Sequence, residues 1–280
     1  MPAAAAAASV GVMSEATPGV EVDSLRLRYG EVTALDDLTF TLAGGKVHGL
    51  LGRNGAGKTS LLSVLAAFRK PTTGTVRVGG QPVFENPRVT RQVCLVGETG
   101  GPADSSDSVK ETLSIARRLR PAWDADYAAA LVERFGLPLR GKLGALSLGQ
   151  RSALGITMGL AARAPLTMFD EPNLGMDAPS RQLFRDEFRA DLRAQPRTVI
   201  VSTHLAEELR PLFAEVVVID HGRLGCSPTI CPSCCWYGRP TPWPSRASPS
   251  GSPRSGPSGP ASRTGPRRCC GGSRWATAPT

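Results

Sequence analysis

The chain has 280 residues, 41% hydrophobic and 20% charged, with a formal net charge of +9. That is enough to bury one or two substantial cores, and it excludes a disulfide-stapled peptide scaffold. No run approaches the roughly 20 apolar residues of a membrane-spanning helix, and the Ala3–Ala8 run is too short for a secretory h-region and has no Lys or Arg before it, so the expectation is a chain kept in the cytosol. Seven of the 33 basic residues and none of the 24 acidic ones lie beyond Gly225, leaving residues 1–225 with only +2; the overall basicity is no argument for nucleic acid, which is not expected as a partner.

Residues 1–18 are Ala-rich and polar and read as a disordered leader, with Met13 a candidate start. From Val20 the alternation of Val20, Val22, Leu25 and Leu27 predicts a strand ending at Tyr29-Gly30, followed by a second at Leu38–Leu42. Gly44-Gly45 turns the chain into a buried strand at Val47–Leu51, and Leu61, Leu62, Leu65 and Phe68 then mark one face of a helix. Short strands are predicted at Thr75–Val78 and Gln92–Val96, and helices at Val109–Leu119, Ala125–Phe135 and Leu148–Ala162. Strand Leu166–Phe169, helix Ser180–Leu192, strand Thr198–Val201, helix Leu205–Leu209 and strand Val216–Ile219 then alternate. This order predicts an α/β fold with a mostly parallel sheet, a small antiparallel β-subdomain at its start, and an inserted helical subdomain over about 102–163.

After Gly225 the composition changes. The last 55 residues hold eleven Pro, ten Ser and seven Gly and almost no aliphatic residues, too little apolar surface to offset ordering entropy. Disorder is expected over 226–280. Cys231-x-x-Cys234-Cys235 with Cys269-Cys270 has zinc-like spacing, but this stretch contains no His. Its Pro, Arg, Ser, Gly, Cys and Trp are what an out-of-frame reading of GC-rich DNA supplies, and a shifted frame is the expectation.

Two motifs carry chemistry. Gly52-Arg53-Asn54-Gly55-Ala56-Gly57-Lys58-Thr59 fits G-x-x-x-x-G-K-[ST] between a strand and a helix. Glycines there let backbone N–H groups curl around phosphate oxygens, Lys58 reaches the outer phosphates and Thr59 ligates Mg²⁺. Gly52, Asn54, Gly55, Gly57, Lys58, Thr59 and Ser60 are therefore the candidate nucleotide contacts. The second motif is the apolar strand Pro165–Phe169 ending in Asp170-Glu171. At the carboxyl end of a parallel strand Asp170 can hold Mg²⁺, and Glu171 can act as general base on the attacking water. Phosphoryl transfer from ATP with Mg²⁺ is the chemistry these two motifs predict.

Between them lies Leu146-Ser147-Leu148-Gly149-Gln150, similar to the L-S-G-G-Q signature of one family. With the three motifs in this order, residues 20–225 resemble the ATP-binding subunit of an ATP-binding cassette (ABC) transporter, nearest in character to bacterial exporter cassettes of the drug and antibiotic type. The resemblance implies a P-loop NTPase fold and ATP hydrolysis. It also implies that Ser147, Gly149 and Gln150 close over ATP held by a second ATP-binding subunit, in a homodimer or heterodimer. Leu148 departs from the signature's first glycine. By the same resemblance His204, in Val201-Ser202-Thr203-His204, contacts the γ-phosphate. Asp177 occupies a loop that spans the dimer interface and can also cap a helix, and Tyr29 stacks on adenine. Glu98 stands where the family has a glutamine. Its carboxylate can ligate Mg²⁺ but offers no N–H to the attacking water, so tighter dependence on Mg²⁺ and slower hydrolysis are expected.

The expected partners are that second subunit and a separate integral membrane permease, with the chain peripheral on the inner face of the cell membrane. Two other readings stay open: a non-hydrolysing regulatory cassette, suggested by Glu98 and Leu148, and a cassette ATPase acting on DNA or ribosomes.

Overall fold

A computed structural model describes residues 17–97, 106–204 and 209–225. Glu98, residues 1–16, most of the helix read at Leu205–Leu209, and the tail 226–280 lie outside the described residues. Thr17 and Pro18, assigned to the leader from sequence, belong to the folded chain: the Thr198 hydroxyl donates to Pro18 O at 2.7 Å.

Two sheets organise the chain. β1 (Val20–Tyr29) and β2 (Val32–Leu42) form an antiparallel ribbon. Together with β4 (Thr73–Val78) and β5 (Gln81–Pro82) they build a four-stranded antiparallel sheet in the order β2-β1-β4-β5. The second strand is longer than the sequence implied, because register shifts between β1 and β2 absorb residues that break strict alternation. The larger sheet has the order β10-β9-β3-β8-β7-β6. In it β3 (Val47–Leu51), β6 (Val93–Val96), β7 (Leu166–Asp170), β8 (Thr198–Thr203) and β9 (Glu215–Asp220) run parallel. The two-residue β10 (Arg223–Leu224) turns back on β9. β7 and β8 are buried at every position, the signature of parallel strands covered on both faces.

The helices are placed by their caps. α1 (Lys58–Leu65) follows β3, and the single-turn α2 (Pro87–Thr90) precedes β6. α3 (Val109–Leu119) starts in a capping box between Ser108 and Glu111, and α4 (Ala125–Arg134) is capped by Asp124. α5 (Leu148–Ala161) starts in a second box, between Ser147 and Gln150, and α6 (Ala178–Ala194) is capped by Asp177. Each such cap answers orphan amides at the first turn. Two apolar clusters result. One joins the antiparallel sheet to α1 through Leu25, Leu35, Leu38, Leu61 and Leu62. The other packs α5 and α6 on the parallel sheet around Phe169, Phe184 and Phe188, whose ring centroids lie 5.4–6.4 Å apart in edge and tilted contacts. Buried Asp191 joins these layers, accepting from Arg197 at 2.6 Å and pairing with Arg163, which also donates to Asp124 at 2.8 Å.

One buried group makes stability depend on pH. His48 on β3 is fully enclosed, with Nε2 2.9 Å from Ala43 O. Its Nδ1 lies 3.3 Å from Glu215 Oε2 but makes no aligned hydrogen bond. Burial pushes its pKa below the ordinary 6.5, a shift that the Ala43 hydrogen bond and Glu215 only partly oppose. The folded state therefore prefers neutral His48, and its contribution is complete above pH 6.5 and is lost as pH falls below that value. Urea midpoints should drop between pH 7.5 and pH 5.5, with a slope of at most about 1.4 kcal/mol per pH unit from this group. His48→Gln should flatten that part of the profile; an unchanged profile would remove His48 as its source.

Candidate nucleotide-binding site

The site sits where the carboxyl ends of β3, β7 and β8 meet, the usual crevice of an open parallel sheet. From β3 the chain enters the loop Gly52–Gly57 and then α1. Gly57 has φ 109° and caps the helix by backbone alone; a Cβ there would lie 2.8 Å from Ala34 O, so only glycine lets the loop turn at this point. No side chain caps α1 and no acid sits in its first turn, an arrangement that an anion would complete.

Lys58 is buried, and its ammonium is held inside this loop. Nζ donates to Gly52 O at 2.7 Å and to Arg53 O at 3.3 Å, and lies 3.1 Å from Glu171 Oε1. Thr59, at the next position, donates from Oγ1 to Asp170 Oδ2 at 2.6 Å. The other oxygen of Asp170 accepts from the Ser202 hydroxyl, which in turn accepts from Glu171 N at 3.0 Å. Parallel pairing puts Asp170 opposite Ser202 in β7 and β8, so the sheet register itself brings these groups together.

Glu171 follows β7 in the left-handed region, φ 48°, a conformation that costs a non-glycine residue energy and recurs at functional sites. The turn aims its carboxylate between two partners. Oε2 is 2.8 Å from His204 Nδ1, at the end of β8, while Oε1 faces Lys58 without hydrogen-bond alignment. Oε1 is thus a buried acceptor without a hydrogen-bond partner, suited to a water or a ligand.

Two clefts flank the loop. One, of about 590 Å³, runs from Val32–Ala34 past Lys58, Thr59 and Ser60 to Glu171. The other, of about 660 Å³, lies between Gly52–Ala56 and Thr203–His204. Asn54 and Gly55 border both. Thr59 and Asp170 present hard oxygens 2.6 Å apart, which suits Mg²⁺. Among the described residues no cluster of three or more His, Cys, Asp or Glu forms a metal cage; Mg²⁺ commonly takes only one or two protein ligands and completes its shell with water and phosphate.

Ser147, Gly149 and Gln150 border neither cleft. Ser147 and Gln150 bond each other across the start of α5, at 3.2 and 3.0 Å. Gly149 is required within its own chain: a Cβ there would stand 2.5 Å from Gly175 O. Leu148 in turn lies over Gly175, where an added Cβ would meet its Cγ at 2.6 Å. Asp177 accepts from Ser180 N at 2.9 Å as the α6 cap, and hydrogen bonding to Ser180 holds its carboxyl below the usual range. Tyr29 is exposed at the end of β1 with the Arg69 guanidinium 5.5 Å above its ring, and it borders neither cleft.

Sequence reasoning passed over Ser202, which links the Asp170 carboxylate to the Glu171 backbone. It also passed over the β9–β10 hairpin against the loop, where Gly222 N donates to Ala56 O at 2.9 Å and Arg223 pairs with Asp36 at 2.5 Å. A polar residue two places before His204 was the available signal for Ser202; its partner was set by register alone.

Comparison with known proteins agrees with this geometry. The ABC transporter family model matches residues 35–174, half of the chain. The chain is 32% identical to the doxorubicin resistance ATP-binding protein DrrA of Mycobacterium tuberculosis, over 72% of this chain and 63% of that protein; it thus spans less than two thirds of DrrA's length. It is 34% identical to the Nod factor export ATP-binding protein I of Ralstonia nicotianae, covering 74% and 66% of the two chains. With the ABC transporter ATP-binding protein NatA of Bacillus subtilis it shares 32% identity, covering 69% and 80%. Among solved structures, an ATP-binding subunit of an ABC transporter superposes with a TM-score of 0.65 at 24% identity, over 73% of this chain and 87% of that one. A nucleotide-free ATP-binding cassette superposes at 0.63 and 18% identity, over 79% and 100%; these two likenesses establish the P-loop NTPase fold. With a matching family model over half its length and relatives at a third identity, this chain belongs to the ABC transporter family.

Proposed function

We propose that residues 19–225 form the ATP-hydrolysing subunit of an ABC transporter, with the helical segment of about 102–163 as its second lobe and a separate membrane permease as its partner. The observation that carries this reading is the convergence of Lys58, Thr59, Asp170, Glu171 and His204 around one loop, with a buried, unbonded oxygen on Glu171.

Each residue then has a task. Lys58 exchanges the carbonyls of its own loop for phosphate oxygens and neutralises their charge. Thr59 and Asp170 would hold Mg²⁺, which when bound neutralises charge on the outer phosphates. Glu171 accepts a proton from the attacking water at Oε1, and His204, bonded to Oε2, keeps the carboxylate in place. The signature residues Ser147 and Gly149 lie away from both clefts, which supports a role in completing the site of a second ATP-binding subunit, in a homodimer or heterodimer. A twofold arrangement supplies both sites at once. Among the described residues no helix is long and apolar enough to cross a membrane, which fits an ATP-binding subunit on the inner face of the membrane. The names DrrA, Nod factor export and NatA support an exporter of the drug and antibiotic type.

The test is hydrolysis by the purified chain at increasing protein concentration. Specific activity should rise with concentration, and ATP should produce a dimer in sedimentation that ADP does not. Full turnover by a monomer would overturn the shared-site reading. Binding without any hydrolysis would favour a regulatory cassette.

A further inference from the structure

The β9–β10 hairpin carries a side chain that neither the motifs nor the proposed mechanism uses. His221 and Gly222 form its tip with φ 46° and 75°, the paired positive values of a tight hairpin turn in which Asn-Gly is strongly preferred. Histidine is among the side chains enriched at positive φ, but asparagine or glycine would satisfy the turn at least as well, so the turn alone does not single out an imidazole.

Its placement does. Gly222 N donates to Ala56 O in the phosphate loop at 2.9 Å, and Asp36 N donates to Gly222 O at 2.7 Å. Arg223 is bonded to the Asp36 carboxylate through Nε at 2.8 Å. A Cβ on Gly222 would stand 2.6 Å from Ala34 O. The tip is therefore fixed to the phosphate loop on one side and to the start of β2 on the other. His221 borders both clefts beside Asn54 and Gly55. The ring is 93% exposed, and the Asp220 carboxylate lies 3.8 Å from Nε2, an exposed contact of little energetic weight.

We propose that His221 is a further nucleotide-binding residue, its imidazole meeting the phosphate chain of the nucleotide across the loop from Lys58. The proposal rests on the nucleotide-binding reading above and adds to that site an imidazole whose ring N–H can donate to phosphate oxygens. The charged groups around it are Asp220 on its own hairpin, Arg53 and Lys58 from the phosphate loop, and Glu171 and His204 across the clefts; Arg223 is engaged with Asp36. The Asp220 carboxylate, 3.8 Å from Nε2, competes with phosphate for the same donor.

The test compares full-length wild type with His221→Asn, which keeps the turn and removes the imidazole. Calorimetric titration with ATP and Mg²⁺ is run at one pH and constant ionic strength. The variant should bind about tenfold more weakly than wild type. The same ratio should persist when both proteins carry His204→Ala, which separates the two histidines. A ratio of one overturns the His221 assignment and leaves the nucleotide reading standing. No ATP binding by wild type overturns both.

Discussion

Glu171→Gln should bind ATP, dimerise and turn over about 10²–10⁴-fold more slowly than wild type, the usual contribution of a positioned general base. Glutamine keeps the volume and the left-handed turn, so the change isolates the charge. Its amide oxygen would face the Lys58 ammonium, now 3.1 Å from Oε1, and its NH₂ would donate to His204 Nδ1, now 2.8 Å from Oε2. Neither the loop carbonyls that hold Lys58 nor the Thr59–Asp170 pair touches residue 171 through its side chain, so nucleotide affinity should change little. Because ATP but not ADP is expected to hold the dimer, the variant should accumulate as an ATP-bound dimer in size exclusion. Hydrolysis within a few-fold of wild type would remove Glu171 as the base.

Gly149→Ala should destabilise the folded chain by about 1–3 kcal/mol, the common cost of overpacking, and so lower Tm by roughly 2–4 °C per kcal/mol for a domain of this size. The added methyl would stand 2.5 Å from Gly175 O and 3.2 Å from its carbonyl carbon. Both are backbone atoms, in a turn further held by the Ser152 hydroxyl, which donates to Leu174 O at 2.7 Å. Relief requires moving the start of α5 away from the 171–177 turn. The phosphate loop is not part of that contact, so ATP affinity of the monomer should persist while ATP-driven dimerisation weakens. Leu148→Ala, by contrast, trims a side chain that is already 40% exposed and should cost less than about 1 kcal/mol. A Gly149→Ala protein as stable and as dimeric as wild type would show that the close approach is not required.

Much of this was readable in advance because the signals are local. The glycines of the phosphate loop, the apolar run before Asp170-Glu171, and the capping residue Asp177 each act within a few residues of themselves. Strand and helix positions from Val47 to Ile219 agree with the pattern of apolar residues to within a few positions, apart from the helix read at Leu205–Leu209, most of which lies outside the described residues. The elements that escaped notice, α2, β5 and β10, are two to four residues long, too short to show a period. β2 was read too short because register shifts break its alternation.

Motif spacing and periodicity by themselves determined the order of elements, the phosphate loop and the acids that follow β7. Only the tertiary structure decided which side chains meet. Pairing of β7 with β8 made Ser202 the bridge between Asp170 and Glu171, and the β9–β10 hairpin put His221 beside the phosphate loop. It also gave Gly149 a reason within its own chain, against Gly175. These contacts join residues 26 to more than 150 positions apart, and they depend on sheet register and on approaches of a few ångströms between backbones. A chain's local preferences encode turns, caps and faces; distances between remote segments exist only once the core has packed.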